Sequence, residues 1–269
     1  MATRTARAST SRLSTPRPPA SLHAFVLHRY DWSESSLILD LLTRELGRVA
    51  VAAKGAKRPY SQLRSVLLPF QRLQVSLGRA PAADAGSDVQ TLRGAEWAGG
   101  GAMLTGAALF SGFYLNELLM KLVERHDPHV ELFDAYAATL AALAFADDSV
   151  AEAALRAFEL RLLREIGVLP DLSLVTLTQQ AVQADAGYTL NAEAGVAAPR
   201  QPSDAELRGA ALTRLQAALD HGSMPALQQA CASDLPALKT LLRGVLQHHL
   251  GPNLLRTRQV MRDVQNLEP

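Results

Sequence analysis

The sequence predicts an α+β protein, with a five-stranded β-barrel over residues 21–98 and an all-α domain over 99–269 that carries a small irregular segment at 168–200. Three observations support this. Five short runs between Leu22 and Trp97 show strand-like alternation or apolar content, separated by turn residues. Beyond the Gly-rich stretch AGGGAMLTG the apolar period changes from two to that of a helix. Charge divides the same way: residues 1–100 carry 14 Lys and Arg against 7 Asp and Glu, residues 101–269 carry 13 against 19, and the net charge is only +1. A basic part joined to an acidic part suits one surface for a polyanion and another for different partners.

The first twenty residues, MATRTARASTSRLSTPRPPA, hold four Arg, three Pro and no acid, and lack the apolar stretch of a secretory signal. Their composition is shared by mitochondrial transit peptides and disordered basic arms, and we read them as a disordered arm. The strands are expected in HAFVLHRY, SLILDLLT, GRVAVAAK, RLQVSLG and VQTLRGAEW, with no helix between them. RELGRV reads as a hairpin turn with Gly47 where positive φ is needed. Five strands in so short a span form the small barrel of an OB-fold. Ala98 to Asn116 is uncharged, but its glycines and the Glu117 that follows fit a linker feeding a buried helix better than a membrane span.

Helices are expected through ALFSGFYLNELLMKLVERHD, ended by Pro128, and through VELFDAYAATLAALAFA. A third opens with Ser149 and Glu152 at capping-box spacing and stops at Gly167. Residues 168–200 lose periodicity. Ser203 and Glu206 form a second capping-box pattern before AELRGAALTRLQAALDHG, Pro225 and Pro236 suit the first turns of further helices, and Gly251-Pro252 ends the last.

Several chemistries have no motif here. There is no phosphate-binding G-x-x-x-x-G-K-[ST], no H-E-x-x-H and no G-x-S-x-G, and no acid–base set stands out, so no enzyme activity and no cofactor are expected. The single cysteine, Cys231, allows neither an internal disulfide nor a four-cysteine zinc site. HDPH at His126–His129 reads as a helix-ending turn rather than a metal site. His248 and His249 fall in a last helical turn, where the helix dipole favours imidazolium.

The stretch RVAVAAKGAKRPYSQLRSVLLPF holds five cations and no acid, and Glu45 is the only acid between Arg44 and Arg72. Arg44, Arg48, Lys54, Lys57, Arg58, Arg64 and Arg72 form a candidate cationic track for DNA phosphates. Tyr60, with Trp32 and Phe70, offers stacking surfaces worth roughly 1–3 kcal/mol per base. Six phosphate contacts on a single strand would give a log–log salt slope of about −4. The plain alternative is a solvated basic loop.

The series AFVLHRYDWSESSLILDLLTRELGRVAVAAKGAKR, LLPFQRLQVSLG, TLRGAEW, LFSGFYLNELLMKLVE, ALRAFELRLLREIGVLPDL and LGPNLLRTRQVMRDV resembles the bacterial RecO family of DNA-repair proteins over about residues 22–262. W-S-E-x-S-L (Trp32–Leu37), A-A-K-G-A (Ala52–Ala56) and Y-x-N-E-L-L (Tyr114–Leu119) are its most specific pieces. The resemblance implies an N-terminal OB-fold, a helical C-terminal domain and a recombination mediator that binds single- and double-stranded DNA and anneals complementary strands. With RecR, such a protein helps RecA displace the single-strand-binding protein SSB, whose acidic, apolar tail the helical domain recognises. It also implies a cytoplasmic, nucleoid-associated location and no membrane. Lys54, Lys57 and Arg58 look like the family's basic loop. Arg156, with Leu155 and Phe158, resembles its tail-binding position; the plain reading of Arg156 is a surface helix arginine paired with Glu152 or Glu159. Many members carry two C-x-x-C pairs after the third helix. Residues 168–200 have no cysteine, so the insertion is expected to be zinc-free, and residues 1–20 have no counterpart in the family pattern. Two other classes stay open: an adaptor that binds SSB without DNA affinity, and a metal-dependent nuclease, for which no clustered carboxylates are seen.

Overall fold

Alternating side chains leave each N-terminal strand one apolar face, and closing the sheet on itself is what buries it. The computed structural model describes residues 21–79, 88–145, 147–201, 204–252, 255–257 and 259–260. The arm expected at residues 1–20 and the capping residue Ser203 lie outside these. Strands β1 (Leu22–Asp31), β2 (Leu37–Thr43), β3 (Gly47–Ala53), β4 (Leu73–Leu77) and β5 (Gln90–Trp97) close in the order β1-β2-β3-β5-β4. Only β3 and β5 run parallel. Ala24, Val26, Leu39, Leu41, Val49, Val51, Leu73 and Val75 fill the inside. The basic loop does contain one helical turn, α1 (Leu63–Val66), contrary to the expectation of no helix there. Four residues are too few to show a helical period. Leu63, Val66 and the buried Leu67 pack against the barrel core from that loop.

The hairpin glycine serves twice. Gly47 has φ +69, and a Cβ on it would lie 2.0 Å from the carbonyl oxygen of Asp127, where the connector after the first long helix crosses the barrel. The His126 amide donates to the Arg48 carbonyl at 2.9 Å in the same crossing, so HDPH is the turn between two helices.

Helices α2 (Gly106–Leu122), α3 (Val130–Phe145), α4 (Asp148–Glu165), α5 (Gly209–His221), α6 (Met224–Ala232) and α7 (Leu235–Leu250) form the second part. Gly167 and Gly222 end α4 and α5 at positive φ, and Pro225 and Pro236 lie in first turns as expected. Both capping boxes differ. Asp147, not Ser149, caps α4, accepting from the amides of Ser149 and Val150 at 3.1 and 3.0 Å. Glu152 turns away to Lys239 at 2.7 Å. Around Glu206 the chain is extended, and α5 begins only at Gly209. At the end of α7, burial pushes the His249 imidazole below its ordinary pKa, with His248 adding to the effect.

The second part is therefore not all-α. Residues 168–200 and their continuation form a small sheet, β7 (Gly195–Ala197), β6 (Gly187–Asn191) and β8 (Leu207–Arg208), whose short strands fall below the length at which alternation is visible. Packing and hydrogen bonds close it without a cysteine. Tyr188, Leu190, Val196 and Leu172 are buried, and the Thr176 amide and hydroxyl bridge to the backbone of Val196 at 2.9 Å each. Among the described residues no group of His, Cys, Asp and Glu could hold a metal ion. No described helix is long and apolar enough to cross a membrane.

Barrel and helices share one core. Phe25, Leu27 and Leu42 point outward from the barrel into the helical cluster, where Phe25 meets Phe133 at 5.2 Å and Tyr136 at 5.0 Å. The buried Asn116 amide donates to the Leu27 carbonyl at 2.9 Å, and its own oxygen accepts from the Tyr136 hydroxyl.

Candidate nucleic-acid interface

Strand direction decides which cations stand together. The turn from Arg44 to Leu46 joins β2 to β3 at one end of the barrel, while β2 begins and β3 finishes at the other, about 20 Å away for seven-residue strands. Arg44 and Arg48 lie toward the first end and face the helices. Arg44 makes a two-pronged pair with Asp134 of α3 at 3.1 and 2.9 Å, which raises its pKa. Arg48 donates to the carbonyls of Met120 and Leu119 at the C-terminus of α2, where a cation is favoured, and lies 3.9 Å from the buried Asp40. Burial lowers its pKa. Both side chains join barrel to helices. Arg72, half-buried before β4, has a buried Nε without a hydrogen-bond partner among the described residues. Phe70 is also removed from the expected stacking set: it is buried, has φ +64 and meets Phe113 at 5.1 Å.

The other end of the barrel carries the remaining cations. Successive turns lead from Gly55 through Arg58 and Ser61 to Arg64, each donating to the carbonyl three residues back. Lys54, Arg58 and Arg64 are exposed, and no salt bridge joins them to a described residue. Tyr60 is 100% exposed beside them, and Trp32, on the β1–β2 loop, is 58% exposed. Arg29, Lys57 and Arg64 line a cleft of about 440 Å³ with Asp31 and the apolar Leu37, Ala56, Leu63 and Leu67.

Arg29 was absent from the sequence-based set. A bulge between Val26 and His28 shifts the phase of β1, so that Arg29 pairs with the inward-facing Leu39 and aims at the barrel mouth. Its Nη1 donates to the Leu67 carbonyl at 3.3 Å. The broken alternation in VLHRY was the only available signal.

Two of the motifs singled out in the sequence meet here. The Lys57 amide donates to the Ser35 carbonyl at 3.0 Å, the Gly55 amide to the Ser36 hydroxyl at 3.4 Å, and Lys57 Nζ to the Ser33 carbonyl at 3.0 Å. The A-A-K-G-A turn is thus tied to W-S-E-x-S-L, which fixes Trp32 beside the basic loop. The third motif is structural: Tyr114 donates to Glu159 at 2.6 Å, Asn116 holds β1, and Glu117 accepts from the amides of Arg256 and Thr257 at 2.8 and 3.0 Å.

The tail-binding candidates lie on α4. Leu155 is half-buried. Arg156 is only 6% exposed, with Nη2 2.8 Å from Glu159 Oε1, and it is no surface arginine. Its Nε has no hydrogen-bond partner among the described residues. Phe158 is fully buried against Tyr136 at 6.2 Å. Close by, burial pushes the Cys231 thiol up to about 12, with Arg156 acting against it.

A closed OB-type barrel with exposed cations at its mouth, carried on a helical body that shares its core, defines a two-part α+β protein. The chain belongs to the recombination protein O family: the family's N-terminal part, "Recombination protein O N terminal", matches residues 20–99, and "Recombination protein O C terminal" matches residues 103–259. It is 52% identical over 245 residues to the DNA repair protein RecO of Verminephrobacter eiseniae strain EF01-2, covering 91% of this chain and 96% of the relative. The RecO proteins of Polaromonas sp. strain JS666 and Variovorax paradoxus strain S110 are each 49% identical, with the same coverage. Membership places it among DNA-repair recombination mediators, which are not enzymes.

Proposed function

We propose that this mediator binds single-stranded DNA across the mouth of its barrel, with phosphates on Lys54, Arg58, Arg64 and Arg29 and bases stacking on Tyr60 and Trp32. The carrying observation is the convergence of Arg29, Lys57 and Arg64 on one cleft beside the exposed Lys54, Arg58 and Tyr60. Arg44 and Arg48 are committed to the helices, so they shape the surface rather than contact the strand, while Lys57 lines the cleft and is held from the β1–β2 loop. A cationic mouth screens two strands at once and lowers the cost of bringing them together without nucleotide hydrolysis. On this reading the protein also binds duplex, anneals strands and, with RecR, helps load RecA onto DNA coated with SSB. The helical part, acidic overall, receives the tail of SSB at Leu155 and Arg156, with Phe158 as buried support.

Fluorescence anisotropy of a labelled single strand across a salt series tests the DNA site. Wild type is expected to show a steep slope. A Lys54/Arg58/Arg64→Glu variant, its fold verified by circular dichroism, is expected to lose a slope of about 2, as for three phosphates. Equal tight binding by both proteins would move the site elsewhere, and no binding by either would favour the adaptor.

A further inference from the structure

Among the described residues that line the mouth cleft, one is an acid. Asp31, the last residue of β1, faces the same opening as Arg29, Lys57 and Arg64 and is 79% exposed, with Oδ1 3.0 Å from Lys57 Nζ. Lys57 does not need this partner to stay in place. Its Nζ also donates to the Ser33 carbonyl and its backbone amide to the Ser35 carbonyl, both at 3.0 Å. Those two bonds are to neutral backbone and would survive loss of the carboxylate. An exposed ion pair of this kind contributes little to stability. Its effect is on charge, because it occupies one of three cations in the cleft that a strand would enter.

Resting on the DNA site proposed above, we infer that Asp31 competes with the DNA backbone for Lys57. A carboxylate and a phosphodiester bind an ammonium by the same charge-assisted chemistry, so a strand gains Lys57 only by displacing Asp31. Asp31 thereby limits affinity at the mouth, which suits a protein that must release strands once they have been brought together.

The test is a double-mutant cycle on labelled oligothymidine across a salt series, using wild type, Asp31→Asn, Lys57→Gln and the double variant. Asp31→Asn is expected to tighten binding about three- to tenfold at low salt and to steepen the slope by about 0.7, one phosphate on a single strand. In the Lys57→Gln background the same change is expected to give no such gain. Unchanged or weaker binding by Asp31→Asn would overturn the inference and leave Asp31 as a tether. A gain that persists without Lys57 would also overturn it, because general charge would then be the cause. Asp31→Ser repeats the test if the first variant folds poorly. The Lys54/Arg58/Arg64→Glu variant is measured alongside: if it binds like wild type, the DNA site itself fails. If it loses binding while Asp31→Asn gains nothing, only the inference about Asp31 fails.

Discussion

Arg156 and Glu159 stand one turn apart on α4, and their contact at 2.8 Å is buried rather than solvated. Removing one member of such a pair leaves the other without its counter-charge, which costs about 3–5 kcal/mol. Arg156→Ala is therefore expected to lower stability by roughly 3 kcal/mol in urea unfolding, and Arg156→Ala with Glu159→Gln to regain part of it. If Arg156 also receives the tail of SSB, the double variant is expected to bind a tail peptide at least tenfold more weakly in calorimetry while binding single-stranded DNA as wild type does. Equal peptide affinity would remove Arg156 from the partner site. At this scale the sequence showed the charges but not their surroundings. Arg44 and Lys54 look alike in a cationic run, and only strand direction sends one to Asp134 and the other to solvent. Arg29 was hidden by a bulge that alternation cannot place in advance.

Elements were legible where a pattern ran long enough to repeat. Five barrel strands and six helices appear close to their expected places because alternation, Gly167, Gly222 and the first-turn prolines are local signals. Short elements were not legible: α1 has four residues and β8 two, and both exist through tertiary packing. Caps were ambiguous where two capping residue types stand close together. Asp147 caps α4, and the amide of Val150 and then Ser149 hold its carboxyl below the usual range. A depressed carboxylate contributes stability above its unfolded pKa and loses it as pH falls through the folded value. Asp147→Ala is thus expected to lower Tm at pH 7 more than Ser149→Ala does, with the difference shrinking as pH is brought down through the carboxylate range. A larger loss from Ser149→Ala in thermal melts would restore the capping box.

At the scale of the whole molecule, the barrel is not a bead on a string. Its outer face supplies Phe25, Leu27 and Leu42 to the helical core, Arg44 and Arg48 reach α3 and α2, and Arg125 from the α2–α3 connector contacts Asp88 and Asp40 at 2.9 and 3.4 Å. The composition shift near residue 100 marks a change of secondary structure, and the shared core runs across it. Truncating a large buried aromatic costs about 3–5 kcal/mol, and in a shared core that loss falls on both sides. Phe25→Ala is therefore expected to lower the denaturant midpoint of peptides from β2 and from α3 by the same amount, read by hydrogen–deuterium exchange. Two separate midpoints, with only β2 shifted, would show the barrel to be an independent unit. A common shift would mean that a strand bound at the mouth and a partner bound on the helices act on one cooperative body. Binding at either site would then protect amides at the other.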